Sequence, residues 1–252
     1  MNITVEGQKY EGKTTLAFFL ACRIQDRMHA HKIVIFDPKW AFKNEEFKCG
    51  GRVRTVAHSE SIDEFEALTH EPGTAVAFRP RVDFGQDDEE SIAEDFTAFC
   101  EAIQLEHFLK HPPEEPLVIL VDEAYHLQRG TYVHPALSAA NRLATQGKIY
   151  IIQAVHGPKE IAPLMRRQMD EFYLFRQNDP TDLDAINERC GAECAEIVSR
   201  LPLHHVVKFT SRDRKFEVWS HPDAWYCPIS LDRAVGRDYD GRNFALEIVE
   251  HG

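Results

Sequence analysis

Short apolar runs alternate with longer amphipathic stretches along most of the chain. Runs with the length of strands occupy residues 2–6, 32–37, 52–56, 74–78, 117–121 and 148–153. Stretches with apolar residues at helical spacing occupy residues 15–22, 61–68, 96–109 and 134–146. Buried strands alternating with helices are typical of a parallel sheet covered on both faces. The pattern therefore predicts an α/β fold with a mainly parallel central sheet flanked by helices.

The pattern changes towards the C-terminus. Residues 182–200 have the periodicity of one or two helices joined at Gly191, and residues 205–209 and 215–219 are spaced as a β-hairpin. A chain of 252 residues is long enough for one α/β domain with a substantial core. We expect a single domain over residues 1–252, with a core over about 1–203 and a hairpin and tail over about 204–252.

Composition limits the classes of partner and compartment. A net charge of −12 argues against a broad basic face that coats nucleic acid, but it leaves open a ring whose pore touches DNA with a few residues. No apolar run approaches the ~20 residues of a membrane span, and the first strand begins too early for a signal peptide. The six cysteines lack zinc spacing. We therefore expect a cytoplasmic protein with free thiols and no membrane span.

The segment between the first strand and the first helix matches the phosphate-binding pattern G-x-x-x-x-G-K-[ST]. Its glycines let backbone N–H groups surround an anion, and the following helix N-terminus adds positive charge. In this pattern Lys13 bridges the β- and γ-phosphates and the Thr14 hydroxyl holds Mg²⁺. A chance match in a glycine turn is the alternative, but the flanking strand and helix are the required context. The predicted ATP-binding residues are Gly7, Gln8, Lys9, Tyr10, Glu11, Gly12, Lys13, Thr14 and Thr15.

Two adjacent carboxylates, Asp122 and Glu123, follow the strand at residues 117–121. The carboxyl end of a central parallel strand faces the crevice in which ligands bind. We expect Asp122 to reach Mg²⁺ through a water and Glu123 to orient or deprotonate the water that attacks the γ-phosphate. Such a pair can also cap the following helix. The upstream phosphate loop favours the catalytic interpretation.

A polar residue at the end of the strand at residues 148–153 would lie beside the γ-phosphate. Gln153 and His156 are both candidates for sensing the phosphate and positioning water. Either side chain can instead make a purely structural hydrogen bond. The sequence leaves this choice open.

Several segments in order resemble the FtsK–HerA family of P-loop ATPases. They are D-P-K at 37–39, V-D-E-A at 121–124, residues 151–161, and residues 171–176 followed by D-P-T-D at 179–182. Together with the phosphate loop they cover about residues 1–200. The family usually has Gln-Arg-Pro where this chain has His156, Gly157 and Pro158, so the sensor stays undecided between Gln153 and His156. The resemblance implies a RecA-like ATPase of the additional-strand, catalytic-glutamate (ASCE) type that uses ATP and Mg²⁺.

The resemblance also implies a hexameric ring that hydrolyses ATP at subunit interfaces and pulls double-stranded DNA through its central pore. Such sites take an arginine from the neighbouring subunit, and Arg166, Arg167 and Arg176 lie near the family's position, with Arg167 preferred. These arginines can equally be surface residues or partners within one chain. The loop at residues 128–133 is a candidate DNA contact, with Arg129 on phosphate.

Within the family, the small size and the lack of a membrane anchor look most like viral genome-packaging ATPases. That comparison implies capsid or portal proteins as partners, and a location in the host cytoplasm or the virion. A plasmid or conjugation DNA translocase is the alternative within the family. Outside it, the alternatives are a nucleotide or small-molecule kinase, which Glu123 argues against, and a nucleotide-gated switch with negligible turnover.

Overall fold

A computed structural model of the chain describes residues 1–8, 11–30, 32–42, 46–49, 52–70, 75–80, 88–111, 113–144, 146, 148–220, 227–229, 235–237 and 243–245. The helices are α1 Lys13–Met28, α2 Ile62–Thr69, α3 Asp88–Ala102, α4 Leu105–Lys110, α5 Pro135–Ala144, α6 Pro163–Arg166, α7 Pro180–Cys190 and α8 Ala192–Arg200. Short 3₁₀ turns occupy Ala124–Leu127 and Pro158–Glu160. None of the helices within these residues is both long and apolar enough to cross a bilayer.

The strands are β1 Asn2–Glu6, β2 Lys32–Phe36, β3 Glu46–Cys49, β4 Arg52–Ser59, β5 Ala75–Phe78, β6 Leu117–Val121, β7 Gln128–Arg129, β8 Tyr132–Val133, β9 Ile149–Val155, β10 Glu171–Phe175, β11 Val206–Thr210, β12 Lys215–Ser220, β13 Cys227–Ile229, β14 Val235–Arg237 and β15 Asn243–Ala245. Eleven of them form one sheet in the order β13-β12-β11-β10-β1-β9-β6-β2-β5-β4-β3. β7 pairs with β8, and β14 pairs with β15.

The centre of the large sheet, from β10 to β4, is entirely parallel. The hairpin of β11 and β12 continues the same sheet in antiparallel pairing beside β10. These pairings confirm the predicted fold class, including the C-terminal hairpin. β9 lies between β1, which precedes the glycine loop, and β6, which ends in the two carboxylates. This inserted strand is the additional strand of the ASCE arrangement.

Helices cover both faces of the sheet because its central strands are apolar on both sides. All five residues of β1 and of β2 are buried. α1 packs Leu16, Ala17 and Leu20 into the core on one face. α3, α5, α7 and α8 contribute to the core on the other face. Packing against both faces fixes the strands, so that their carboxyl ends present a rigid edge for the site.

Candidate nucleotide-binding and catalytic site

The glycine loop leaves β1 between two neighbouring strands. The Gly7 amide donates to the Val155 carbonyl oxygen at 3.2 Å. A Cβ added to Gly7 would lie 2.6 Å from the Phe175 Cβ, so this close approach of β10 requires glycine. Gly12 has a φ of 101° in the left-handed region and is the N-cap residue just before α1. Two predicted loop residues, Lys9 and Tyr10, lie outside the described residues.

Lys13, the first residue of α1, is buried and turned back over the loop. Its Nζ donates to the Gln8 carbonyl oxygen at 2.9 Å and lies 3.2 Å from Nδ1 of His156. Burial lowers the pKa of Lys13, while the carboxylates of Glu123 and Asp122 oppose that change. The ammonium of Lys13 therefore lies where the glycine loop, the segment after β9 and the carboxylates after β6 come together. Thr14 is half-buried and Thr15 is exposed in the first turn of the same helix.

Asp122 follows β6 and is almost completely buried. Its backbone amide donates to the Phe36 carbonyl oxygen at 3.0 Å, which fixes the end of the acidic strand against β2. Burial, together with the negative charges of Glu123 and Asp37, raises the pKa of Asp122 to about 7, although Lys13 opposes the change. Three carboxylates, those of Asp37, Asp122 and Glu123, thus interact at this end of β6.

Glu123 has a φ of 50°, in the left-handed region that side chains rarely adopt. Its Oε1 lies 3.1 Å from Nζ of Lys39, and its Oε2 lies 3.0 Å from Nε2 of His156. Burial alone would raise the pKa of Glu123, but His156 and Lys39 outweigh it and hold that pKa at about 2. Strained backbone of this kind costs ~1–3 kcal/mol and concentrates at active sites. In this conformation the carboxylate lies beside Lys39 and His156.

His156 connects the lysine of the loop to the glutamate. An ammonium can only donate, so Nδ1 accepts from Lys13, which leaves the ring proton on Nε2, the nitrogen that lies 3.0 Å from Glu123 Oε2. The backbone of His156 is held on both sides. Its N–H donates to Glu160 Oε2 at 2.7 Å, and its carbonyl oxygen accepts from Gln177 Nε2 at 3.2 Å.

Gln153 lies in the middle of β9 and is fully buried. Its Oε1 accepts from Gln128 Nε2 at 3.0 Å, and its Nε2 donates to Asn141 Oδ1 at 3.1 Å. The structure thus brings His156, and not Gln153, into contact with Lys13 and Glu123. The assignment of a sensor role to either residue stays a prediction.

No protein-family model matches the chain, and no curated protein sequence matches it. Solved structures do match. The genome packaging NTPase B204 from Sulfolobus turreted icosahedral virus 2, in complex with AMPPCP, aligns with a TM-score of 0.63 at 18% identity over 91% of this chain and 98% of that chain. VirB4 of Thermoanaerobacter pseudethanolicus gives 0.56 at 12% identity over 83% and 87%, and the bacterial conjugative coupling protein TrwB gives 0.55 at 8% over 86% and 83%.

This chain has the fold of FtsK–HerA-type P-loop ATPases. The resemblance drawn from the ordered segments is thereby confirmed at the level of the fold. Because the identities are all below 20%, the alignments concern the fold and assign no residue a role.

The arginines predicted from the family occupy different environments in this P-loop ATPase fold. Arg167 follows α6 and is exposed. Arg166 is half-buried and its Nε donates to the Ile161 carbonyl oxygen at 2.8 Å, whereas Arg176 is buried just after β10. Arg129 is exposed on β7, next to a turn in which Gly130 has a φ of 58°. Exposure makes Arg167 and Arg129 accessible to another molecule, and their predicted roles stay predictions.

Sequence reasoning missed the part of the site that follows β2. Lys39 pairs with Glu123, and its Nζ lies 3.0 Å from the Tyr125 hydroxyl. Asp37 accepts from the amides of Ala41 and Phe42 at 2.8 and 3.0 Å and so fixes this loop. The D-P-K segment was the available signal. Its role became visible only through the order of the strands, which places β2 beside β6.

The residues present fit a magnesium ion that arrives with nucleotide. Among the described residues, no group of three or more His, Cys, Asp or Glu side chains could hold a metal by itself. Mg²⁺ in nucleotide sites is held by one or two protein oxygens, with phosphates and waters completing the octahedron. Asp122, whose pKa is raised to about 7 by burial and nearby carboxylates, is a place where a cation would relieve uncompensated charge. Thr14 supplies the hydroxyl one residue after Lys13.

Proposed function

We propose that this chain hydrolyses ATP to move double-stranded DNA and is a subunit of a viral genome-packaging motor. The observation that carries the ATPase proposal is the contact chain from Lys13 through His156 to Glu123, beside the buried Asp122. The motor proposal is supported by the alignment with B204, a genome packaging NTPase studied in complex with AMPPCP. VirB4 and the conjugative coupling protein TrwB share the fold.

Nucleotide binding rearranges Lys13 first. The backbone amides of the loop and the N-terminus of α1 bind the phosphates, and Lys13 exchanges the Gln8 carbonyl oxygen and His156 for phosphate oxygens. Thr14 and Asp122 would hold Mg²⁺, which would neutralise phosphate charge when bound. With Lys13 engaged by phosphate, His156 loses one of its two contacts and reports that the nucleotide is present.

Hydrolysis then depends on Glu123. The carboxylate orients a water whose oxygen bonds to the γ-phosphorus as the bond from phosphorus to ADP breaks. The proton of the water passes to Glu123 and then to solvent, so that the products are ADP, phosphate and a proton. Glu123 accepts that proton more readily once its ion pair with Lys39 is broken, because a neighbouring ammonium favours the charged carboxylate and so lowers its basicity.

Coupling to DNA requires an assembly. In the proposed hexameric ring, Arg167 of one subunit reaches the γ-phosphate of the next, and Arg129 contacts DNA phosphates in the pore. A net charge of −12 is compatible with this arrangement, since only the pore surface meets DNA. A packaging motor also binds a capsid or portal protein and acts in the host cytoplasm or at the virion.

A plasmid or conjugation DNA translocase is the second candidate, and the shared fold with VirB4 and TrwB favours it over unrelated functions. Both candidates have the same ATPase and the same dependence on DNA. They differ in partner, because only the packaging motor binds capsid or portal proteins.

The test is the ATPase rate with and without long double-stranded DNA, measured together with particle size in ATP. We expect DNA to stimulate the parent, and Glu123→Gln to abolish turnover while nucleotide binding and ring size persist. Glu196→Gln, on the exposed surface of α8, is the matched control and should behave as the parent does.

Three results would overturn the motor proposal. Steady turnover by a monomer that ignores DNA would exclude a translocase. A phosphorylated acceptor would identify a kinase. Tight ATP binding with negligible turnover at every DNA concentration would identify a nucleotide-gated switch.

A further inference from the structure

Each carboxylate oxygen of Glu123 lies close to a side-chain nitrogen of another segment. Lys39, from the loop after β2, pairs with Oε1, and His156, from the segment after β9, pairs with Oε2. The Glu123 side chain is 12% exposed, whereas that of Lys39 is 48% exposed. The carboxylate is thus enclosed on one side by a residue fixed in the site and on the other by a residue that faces solvent.

Tyr125 joins these two partners. Its hydroxyl accepts from Lys39 Nζ at 3.0 Å, and that Nζ lies 5.3 Å from the centroid of its ring. The same ring lies 5.2 Å from the His156 ring, centroid to centroid. We call Lys39, Tyr125 and His156 the glutamate clasp. Its members come from three segments that converge on one carboxylate.

Within the clasp, Lys39 is the member that can leave most easily. The backbone of His156 is fixed by Glu160 and Gln177. Lys39 has a flexible four-carbon stem and a half-exposed ammonium, which is a strong point-charge partner for phosphate oxygens. A phosphate oxygen brought to this edge would therefore compete with Glu123 for the ammonium.

We propose that Lys39 is a positioning residue that holds Glu123 away from the attacking water until a phosphate oxygen takes its ammonium. This inference rests on the proposed ATPase function. The competing phosphate belongs either to the bound nucleotide or to the DNA backbone. In both cases Lys39 acts through Glu123, and its release lets the carboxylate accept a proton.

The kinetic test compares Lys39→Ala, Lys39→Arg and the parent at saturating ATP, with and without long double-stranded DNA. If the DNA backbone supplies the competing phosphate, we expect Lys39→Ala to raise kcat without DNA several-fold, and Lys39→Arg to restore the low rate. Lys159→Ala is the matched control, because Lys159 is a similarly exposed lysine that pairs with Asp179 and Asp182, and it should leave both rates unchanged.

The two sources of phosphate give different kinetic results. If DNA releases Lys39, the stimulation by DNA shrinks in Lys39→Ala while KM for ATP is unchanged. If the nucleotide releases it, Lys39 has already left Glu123 at saturating ATP, so Lys39→Ala raises KM for ATP and leaves kcat and the stimulation by DNA as in the parent. A lower kcat in Lys39→Ala under both conditions would make Lys39 directly catalytic. Unchanged values of both kcat and KM for ATP would show that the pair of Lys39 and Glu123 has no part in the reaction. Either of these last two results overturns the proposal.

A second variant tests the same contact if Lys39→Ala fails to fold. Tyr125→Phe removes the hydroxyl that accepts from Lys39 and keeps the ring against His156. We expect it to raise the rate without DNA by a smaller factor than Lys39→Ala, and to add nothing in the double variant. Additive effects would contradict a shared role.

A measurement that needs no turnover separates this inference from the ATPase proposal. Limited acetylation followed by peptide mass spectrometry gives the labelling rate of each lysine in the nucleotide-free protein. Labelling of Lys39 should be faster in Glu123→Gln than in the parent, because the neutral amide no longer holds the ammonium. Lys159 serves as the internal reference. Equal labelling of Lys39 in both proteins would overturn the clasp, whatever the ATPase rates are.

Discussion

Asp122 is a buried carboxylate that interacts with two other carboxylates. The side chain is buried between the carboxylates of Glu123 and Asp37, and Lys13 is the cation that opposes them. Burial and these neighbours raise the pKa of Asp122 to about 7. A carboxylate kept in such surroundings suits Mg²⁺ and phosphate but weakens the nucleotide-free fold, a common conflict between function and stability.

We predict a pH-dependent stability difference between Asp122→Asn and the parent. The pKa of Asp122 in the folded protein exceeds its unfolded value near 3.9. Its contribution to stability is therefore complete below about pH 4 and is lost as pH rises through about 7. Without Mg²⁺ or nucleotide, the unfolding free energy of Asp122→Asn should therefore rise relative to that of the parent as the pH increases. Between these two pH limits the rise should be on the order of 2–4 kcal/mol.

Urea unfolding at about pH 5 and about pH 8 measures this difference. Asp184→Asn, at an exposed position of α7, is the control and should show the same offset from the parent at both pH values. An offset for Asp122→Asn that does not grow with pH would contradict the raised pKa.

Replacing Gln153 by alanine should lower the unfolding free energy more than replacing His156 by alanine. Gln153→Ala leaves Gln128 Nε2 and Asn141 Oδ1 buried without their partner, and should cost ~2–4 kcal/mol of unfolding free energy. His156→Ala removes a partly exposed polar contact with Glu123 and should cost less than ~1 kcal/mol. Chemical unfolding of both variants checks this order. A stable Gln153→Ala protein with impaired nucleotide affinity would instead place Gln153 in the site.

At the scale of elements, the contact between β10 and the glycine loop leaves no room for a side chain. Gly7→Ala would place its Cβ 2.6 Å from the Phe175 Cβ. We expect overpacking to lower the unfolding free energy by ~1–3 kcal/mol and to weaken binding of a fluorescent ATP analogue, because the loop must shift. Calorimetry and fluorescence titration measure the two effects.

Gly130 provides the matched glycine for that experiment. It has a φ of 58°, and no atom lies within 4 Å of an added Cβ. Gly130→Ala should therefore cost only the strain of the left-handed backbone, roughly 1 kcal/mol, and leave the affinity for the analogue as in the parent. Equal loss of affinity in both variants would show that the contact with Phe175 is not the cause.

The sequence could predict the elements that are specified by residues close together in the chain. β1, β2 and β6 are short runs buried on both faces, and the glycine pattern between β1 and α1 fixes the position of Lys13. The order of strands is a property of the whole sheet. It brings the loop after β2 to Glu123, so the contact of Lys39 could not be read from the spacing of residues 39 and 123.

The undecided choice between Gln153 and His156 has a related cause. Strand residues alternate between the faces of a sheet, so which face a residue meets depends on the register of β9 against its neighbours. Gln153 pairs with Thr4 of β1 and Val121 of β6, and its side chain meets Gln128 and Asn141 within the core. His156 lies beyond the strand end and reaches the site. The register of β9 thus determines that Gln153 faces the core and that His156 reaches the site, and this register cannot be read from the composition.

At the scale of the whole molecule, the proposed ring makes each active site a shared property of two subunits. Lys13, Asp122 and Glu123 belong to one chain, and Arg167 is expected to serve the neighbour. Arg167 is exposed, and within the described residues its guanidinium has no hydrogen-bond or ion-pair partner. A guanidinium supplied across an interface is worth ~10³–10⁵ in rate. Arg167→Ala and Glu123→Gln should therefore each abolish turnover. Glu123→Gln alters the subunit that binds the nucleotide, and Arg167→Ala alters the neighbouring subunit.

Mixing the two inactive proteins tests that arrangement. A subunit of Arg167→Ala still has an intact Glu123, and a neighbouring Glu123→Gln subunit still has an intact Arg167, so one kind of interface is complete. Random assembly at equal concentrations makes about one interface in four complete, and ATPase activity should reappear on mixing. Glu123→Gln mixed with Lys13→Ala is the control, because both changes lie on the nucleotide side and no interface regains both residues. If the first mixture stays as inactive as the second, Arg167 acts within its own chain, and the site of one subunit does not depend on its neighbour through this residue.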